Sequence, residues 1–88
     1  MNAVLVVRPS SLGDVVHALA LVADVRRHRP ELAVDWVAEE AFAPLVALHP
    51  GVRRVIAVAL RRWRRRPFAA TTRREFAAFR AELRREPY

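Results

Sequence analysis

The sequence predicts an α/β protein built on a parallel, Rossmann-like sheet, and three observations carry that expectation. Short Val-rich runs without polar alternation recur near residues 3–7, 33–38 and 54–60, the pattern of strands buried on both faces. Helical apolar spacing separates them. The resulting order, β-α-β-α-β followed by a charged segment and a last helix, favours parallel strands joined by right-handed crossovers.

The first strand is Ala3 to Val7, and the polar turn Pro9-Ser10-Ser11 follows it. From Leu12 to about His28, Val15, Leu19, Val22 and Val25 fall on one helical face, and Arg26, Arg27, His28 and Arg29 place positive charge at the helix end before Pro30 stops it. Residues 33–38 form the second strand, residues 41–48 a short helix closed by His49-Pro50-Gly51, and residues 54–60 the third strand. The run RRWRRRPF, residues 61–68, reads as a charged loop closed by Pro67. Thr72 and Glu75 have capping-box spacing, and Phe76, Phe79 and Leu83 share a stripe on a helix expected from about Arg73 to Glu86. Glu86-Pro87-Tyr88 reads as a plain helix stop.

Eighty-eight residues fit within one domain. Three strands, however, are fewer than open doubly wound sheets carry, so the chain is expected to be the first half of a larger α/β domain with an exposed, pairing-prone sheet edge. Met1 stands directly before the first strand, which points to a native N-terminus and places the remaining material on the C-terminal side. With no Cys, disulfide frameworks, Cys-based zinc sites and thiol nucleophiles are excluded. No apolar run approaches the ~20 residues needed to span a bilayer.

Charge is divided unevenly. All 16 basic residues are Arg; residues 1–52 hold four of them against six acids, and residues 53–88 hold twelve against three. Genome composition accounts for Arg in place of Lys, but not for this placement.

Ligand sites of open α/β sheets lie beyond the C-terminal ends of the strands, where the turn Arg8 to Asp14 falls. Ser10 and Ser11 offer hydroxyls there, Gly13 permits close backbone approach, and a helix N-terminus offers N–H groups to an anion. Asp14 adds a carboxylate. An acid in a first turn also serves the helix dipole, and spacing alone does not choose between that role and a catalytic one. His17 lies one turn further along and is within reach of Asp14 if the face is shared. Glu39 and Glu40 stand at the same end of the sheet, where a solvated helix turn is the simpler reading. Neither a GxGxxG nor a GxxxxGK[ST] motif is present, so dinucleotide and P-loop triphosphate binding lack support.

The runs VLVVRPSSLGDVVHAL, DWVAEEAFAPL and RVIAVALRRWRRRPF resemble the lipopolysaccharide heptosyltransferases. The SSLGD turn is shared across the ADP-heptose transferase family, while the DWV-EE block and the RRW-R segment point to type I. The resemblance implies a two-domain GT-B glycosyltransferase, of which residues 1–88 are the opening part of the N-terminal, acceptor-binding domain, the ADP-heptose-binding C-terminal domain being absent. It implies inverting transfer of heptose from ADP-heptose to Kdo of Kdo-lipid A, without metal or cofactor, by an enzyme peripheral at the cytoplasmic face of the inner membrane. The family's general base falls on Asp14, and its acceptor contacts fall on Arg61, Arg64 and Arg65, with Ser10, Ser11 and the Gly13 turn beside them. Arg supplies the fork geometry that carboxylates and phosphates need. Two positions depart from relatives: Arg8 stands where Lys is frequent, and Ala20 where a helix Pro is frequent.

Two other classes compete. RRWRRR interleaved with Trp63 and Phe68 also suits a nucleic-acid or anionic membrane patch, although no helix-turn-helix or other reader accompanies it. A non-catalytic α/β piece is the other, since the donor site of GT-B enzymes belongs mainly to the second domain and 88 residues alone are expected not to transfer sugar.

Overall fold

A computed structural model describes residues 3–88; Met1, with the expectation attached to it, lies outside the described residues. The chain runs β1 (Ala3–Val7), α1 (Leu12–His28), β2 (Ala33–Glu39), α2 (Ala43–Ala47), β3 (Val52–Val58), α3 (Leu60–Arg65) and α4 (Ala70–Arg84). The three strands are parallel in the order β1-β2-β3, with Val6 opposite Trp36 and Val37 opposite Ile56.

The central strand decides the layering. In β2, Val34, Trp36 and Ala38 point to one face and pack with Val15, Ala18 and Val22 of α1 and Val46 of α2. Val37 points to the other and packs with Ile56, Val58, Ala59 and Trp63, joined by Phe79 and Leu83 of α4. Both crossover helices therefore lie on one face, as two successive crossovers of the same hand require, and α3 with α4 covers the other.

Burial on both faces holds for β2, whose residues 34–38 are all buried, but not for β1. Val7 of β1 is 62% exposed, because β1 is an edge with no partner on its outer side among the described residues. Continuous apolarity marks strands of a parallel sheet without ranking edge against centre.

Four further expectations are corrected. The second helix begins at Ala43, not 41, because Pro44 takes the first turn, where its fixed φ and missing N–H are tolerated. The third strand ends at Val58; Ala59 and Leu60 are apolar because they pack into the second core, not because they extend the strand. RRWRRR is helix α3, not a loop. Burial of Trp63, 8% exposed, folds the segment inward, and Arg66, at φ −138° and ψ 68°, leaves the helical region that Pro67 disfavours for the residue before it. Finally, α4 starts at Ala70 with Ala69 as its N-cap and no side-chain cap bond, so Thr72 and Glu75 form no capping box.

Residues 82–88 are also tied to the sheet. Asp35 is fully buried; its carboxylate accepts from Arg53 Nε (2.9 Å) and Nη2 (2.6 Å) and from the Tyr88 hydroxyl. Arg54 donates to Tyr88 Oη (2.9 Å) and Glu82 Oε2 (2.7 Å), and Arg53 also pairs with Glu86 (3.2 Å). A register shift makes this possible: Val34 pairs with Val52 but Asp35 with Arg54, leaving Arg53 as the extra residue of a bulge. Two successive arginines thus serve one carboxylate. Burial pushes the Asp35 carboxyl up, but hydrogen bonds from Arg53 and then Tyr88 outweigh it and hold it below the usual range.

Candidate functional site

The C-terminal ends of all three strands open into one cavity of about 540 Å³, lined by Ser10 and Ser11 after β1, Glu39 and Glu40 at the end of β2, and Leu60, Arg61, Arg62, Arg64 and Arg65 of α3. The turn after β1 is held from the sheet side. Buried Trp36 donates its Nε1–H to the Arg8 carbonyl (3.2 Å), and the Glu39 N–H donates to the Pro9 carbonyl (2.9 Å). Ser11 is the N-cap of α1, in extended conformation. Its hydroxyl makes no cap bond to the backbone and instead donates to Asp14 Oδ2 at 3.4 Å.

Asp14 is therefore exposed in the first turn of α1, one hydrogen bond behind the cavity wall that Ser11 forms. The first intrahelical bond is Val15 N–H to the Ser11 carbonyl (2.9 Å), so the N–H of Gly13 belongs to the unpaired first turn. An added Cβ on Gly13 would meet nothing within 4 Å, which leaves the space over this turn open to a ligand. His17 is exposed and makes no hydrogen bond to Asp14.

Three carboxylates fix α3 against the sheet. Glu39 Oε2 accepts the Leu60 N–H (3.2 Å) and so satisfies a free donor at the start of the helix. Glu40 takes Arg62 through both oxygens (3.2 and 3.1 Å), and Glu75 of α4 takes Arg62 Nη1 (2.8 Å) and the Trp63 Nε1–H (2.9 Å). The hydrogen bonds from Trp63 and then Arg62 hold the Glu75 carboxyl below its ordinary value, and those to Glu40 and then Glu75 hold the Arg62 guanidinium charge more firmly.

Arg62 is thereby neutralised within the fold. Arg61, Arg64 and Arg65, the positions to which the resemblance assigns acceptor contacts, are exposed, line the cavity and form no ion pair among the described residues. The supports take other roles than their spacing suggests: Glu39 and Glu40 hold α3 and are not a merely solvated turn, Glu75 is not a capping residue, and Trp36 backs the turn. The DWV-EE block holds Trp36, Glu39 and Glu40, but partners 21 and 22 residues apart are not legible in spacing.

A three-stranded parallel sheet with helices on both faces and its cavity at the strand ends fits the N-terminal part of a GT-B enzyme. The relatives make this specific. No protein-family model matches the chain. It is 46% identical over 85 residues to lipopolysaccharide heptosyltransferase 1 of Escherichia coli K12, covering 97% of this chain and 27% of that protein. It is 45% identical over 85 residues to lipopolysaccharide heptosyltransferase 1 of Pseudomonas aeruginosa PAO1, covering 97% and 24%. The solved structure of E. coli heptosyltransferase WaaC with ADP superposes with a TM-score of 0.93 at 44% identity, covering 98% of this chain and 27% of that one. A second structure of WaaC, with ADP-2-deoxy-2-fluoro heptose, gives 0.91. These heptosyltransferases are homologues of the chain, which spans about a quarter of their length.

Proposed function

We propose that the chain is the acceptor-side part of a heptosyltransferase of lipopolysaccharide core synthesis, which moves heptose from ADP-heptose to Kdo of Kdo-lipid A with inversion, without a metal ion, at the cytoplasmic face of the inner membrane. The observation that carries this reading is the convergence of Ser10, Ser11, Arg61, Arg64 and Arg65 on one strand-end cavity, with Asp14 hydrogen-bonded behind it.

In this mechanism the anionic groups of the acceptor lie against Arg61, Arg64 and Arg65, which pair with no carboxylate among the described residues. Ser10 and Ser11 orient the sugar through their hydroxyls. Asp14 takes the proton from the attacking hydroxyl as its oxygen bonds to the anomeric carbon and the bond to the ADP phosphate breaks, ADP leaving with the bonding pair. The Ser11 hydroxyl holds the Asp14 carboxylate in place until then. The donor belongs to the part of the longer proteins that this chain does not span, so 88 residues alone bind acceptor and do not transfer.

The test replaces the matching segment of the E. coli relative by this chain. Asp14→Asn in that chimera should lower kcat by about 10²–10⁴ with little change in acceptor KM, whereas Arg64→Gln should raise acceptor KM. Wild-type turnover by Asp14→Asn would refute the role of Asp14. Equal, steeply salt-dependent binding of duplex DNA and a Kdo-bearing lipid A analogue to the 88-residue chain would favour a general polyanion binder.

A further inference from the structure

Besides the strand-end cavity, α3 borders a second one toward α4. It is a groove of about 470 Å³ between α3 and α4, with Leu60, Trp63, Pro67 and Phe76 as its apolar wall and Arg64, Arg73 and Arg80 around it. Trp63 and Phe76 meet edge to face at 5.8 Å, which makes the floor a fixed surface. Beyond Pro67, Phe68 is 87% exposed, and Phe76 is 47% exposed.

The two sides of α4 carry opposite charge. Glu75 and Glu82 turn toward β3 and are occupied by Arg62, Trp63 and Arg54. Arg73 and Arg80 turn to the groove, where no acidic residue lines the wall and no ion pair engages them or Arg64 among the described residues. Exposed aromatics beside unpaired arginines, with acids sorted to the far side, match a surface whose outer layer is anionic and whose interior is apolar.

We propose that this groove is the docking face for an anionic phospholipid bilayer. Phe68 and the exposed part of Phe76 enter the headgroup boundary, and Arg64, Arg73 and Arg80 meet lipid phosphates. Trp63 is not an inserting residue, since it is buried and its Nε1–H is held by Glu75. Arg64 lines both this groove and the strand-end cavity, so docking here brings the site within reach of a lipid-linked substrate. The inference rests on the membrane setting of the proposed function and names the surface that makes the contact.

The 88-residue chain would be titrated with phosphatidylcholine vesicles, with and without phosphatidylglycerol, and bound protein measured by co-sedimentation. These vesicles carry no sugar acceptor, so failure of docking and failure of transfer read out separately. The wild type should bind only the phosphatidylglycerol vesicles. Arg73→Gln with Arg80→Gln should weaken binding about thirtyfold, about fivefold for each charge, and Phe68→Ser about tenfold or more. Arg27→Gln, at the far end of α1, should change it less than about twofold. Circular dichroism should show all variants folded, as the altered side chains are exposed. Wild-type binding by the groove variants, or an equal loss in Arg27→Gln, would overturn the proposal.

Discussion

Asp35→Asn tests the part of the structure that sequence reasoning least anticipated. Asn keeps the volume and removes the charge at a fully buried position that receives 2.9 and 2.6 Å hydrogen bonds from Arg53 and a third from Tyr88. Removing one partner of a buried pair costs about 3–5 kcal/mol. The side chain of Arg53 is 43% exposed and retains Glu86 at 3.2 Å, so part of its charge returns to solvent and the loss falls at the lower end, about 3 kcal/mol. A domain of this size has about 4–13 kcal/mol in total, so the change is large. The assay is urea unfolding followed by the fluorescence of buried Trp36, the next residue in the chain. At about 1 kcal/mol/M the midpoint should fall by roughly 3 M, or the variant should be unfolded without urea. The pH dependence has a definite sign. Because the folded carboxyl is held below its ordinary value, its stabilisation is complete above about pH 4 and is lost as pH falls through the folded value. The gap between wild type and variant should therefore close in acid. Equal midpoints at pH 7, or a gap that persists unchanged below pH 4, would refute the assignment.

Three other outcomes are expected. Gly51→Ala should destabilise by about 1–3 kcal/mol, because a Cβ there would lie 2.9 Å from Val22 Cγ1, 3.0 Å from Arg26 Cγ and 3.1 Å from His49 Cε1; a raised Tm, the usual result of Gly→Ala at a tolerant site, would contradict that packing. Glu75→Ala removes the acceptor of the buried Trp63 Nε1–H and one of the two partners of Arg62, and should cost about 1–2 kcal/mol in thermal melts with a red shift of Trp emission. Val7→Lys, on the unpaired edge of β1, should suppress concentration-dependent self-association in sedimentation while leaving stability within about 0.5 kcal/mol; unchanged association would clear this edge.

What was legible in the sequence was local. β1 and α1 lie where the Val run and the apolar spacing put them, Ala3–Val7 and Leu12–His28, and Phe76, Phe79 and Leu83 share a face because they recur at helical intervals. The position of the Ser10 to Asp14 turn at the strand ends was legible too, since each strand-to-helix connection of a parallel sheet emerges there. RRWRRR was misread because its helix depends on contacts outside it: six residues, four of them beyond Trp63 and Leu60 positively charged in a row broken only by Trp, have little helical tendency of their own at that length. Glu39, Glu75 and the second core provide what the segment lacks.

By itself the sequence determined the parallel α/β class, the strand-end turn from Ser10 to Asp14 and the concentration of arginine after residue 52, because periodicity and residue type act over a few positions. Only the tertiary structure decided which arginines are free. Arg53, Arg54 and Arg62 are consumed by Asp35, Glu82, Glu40 and Glu75, while Arg61, Arg64, Arg65, Arg73 and Arg80 form no ion pair among the described residues. A guanidinium's availability depends on which carboxylate lies within about 3 Å of it, and that is set by how strands and helices from distant parts of the chain are brought together.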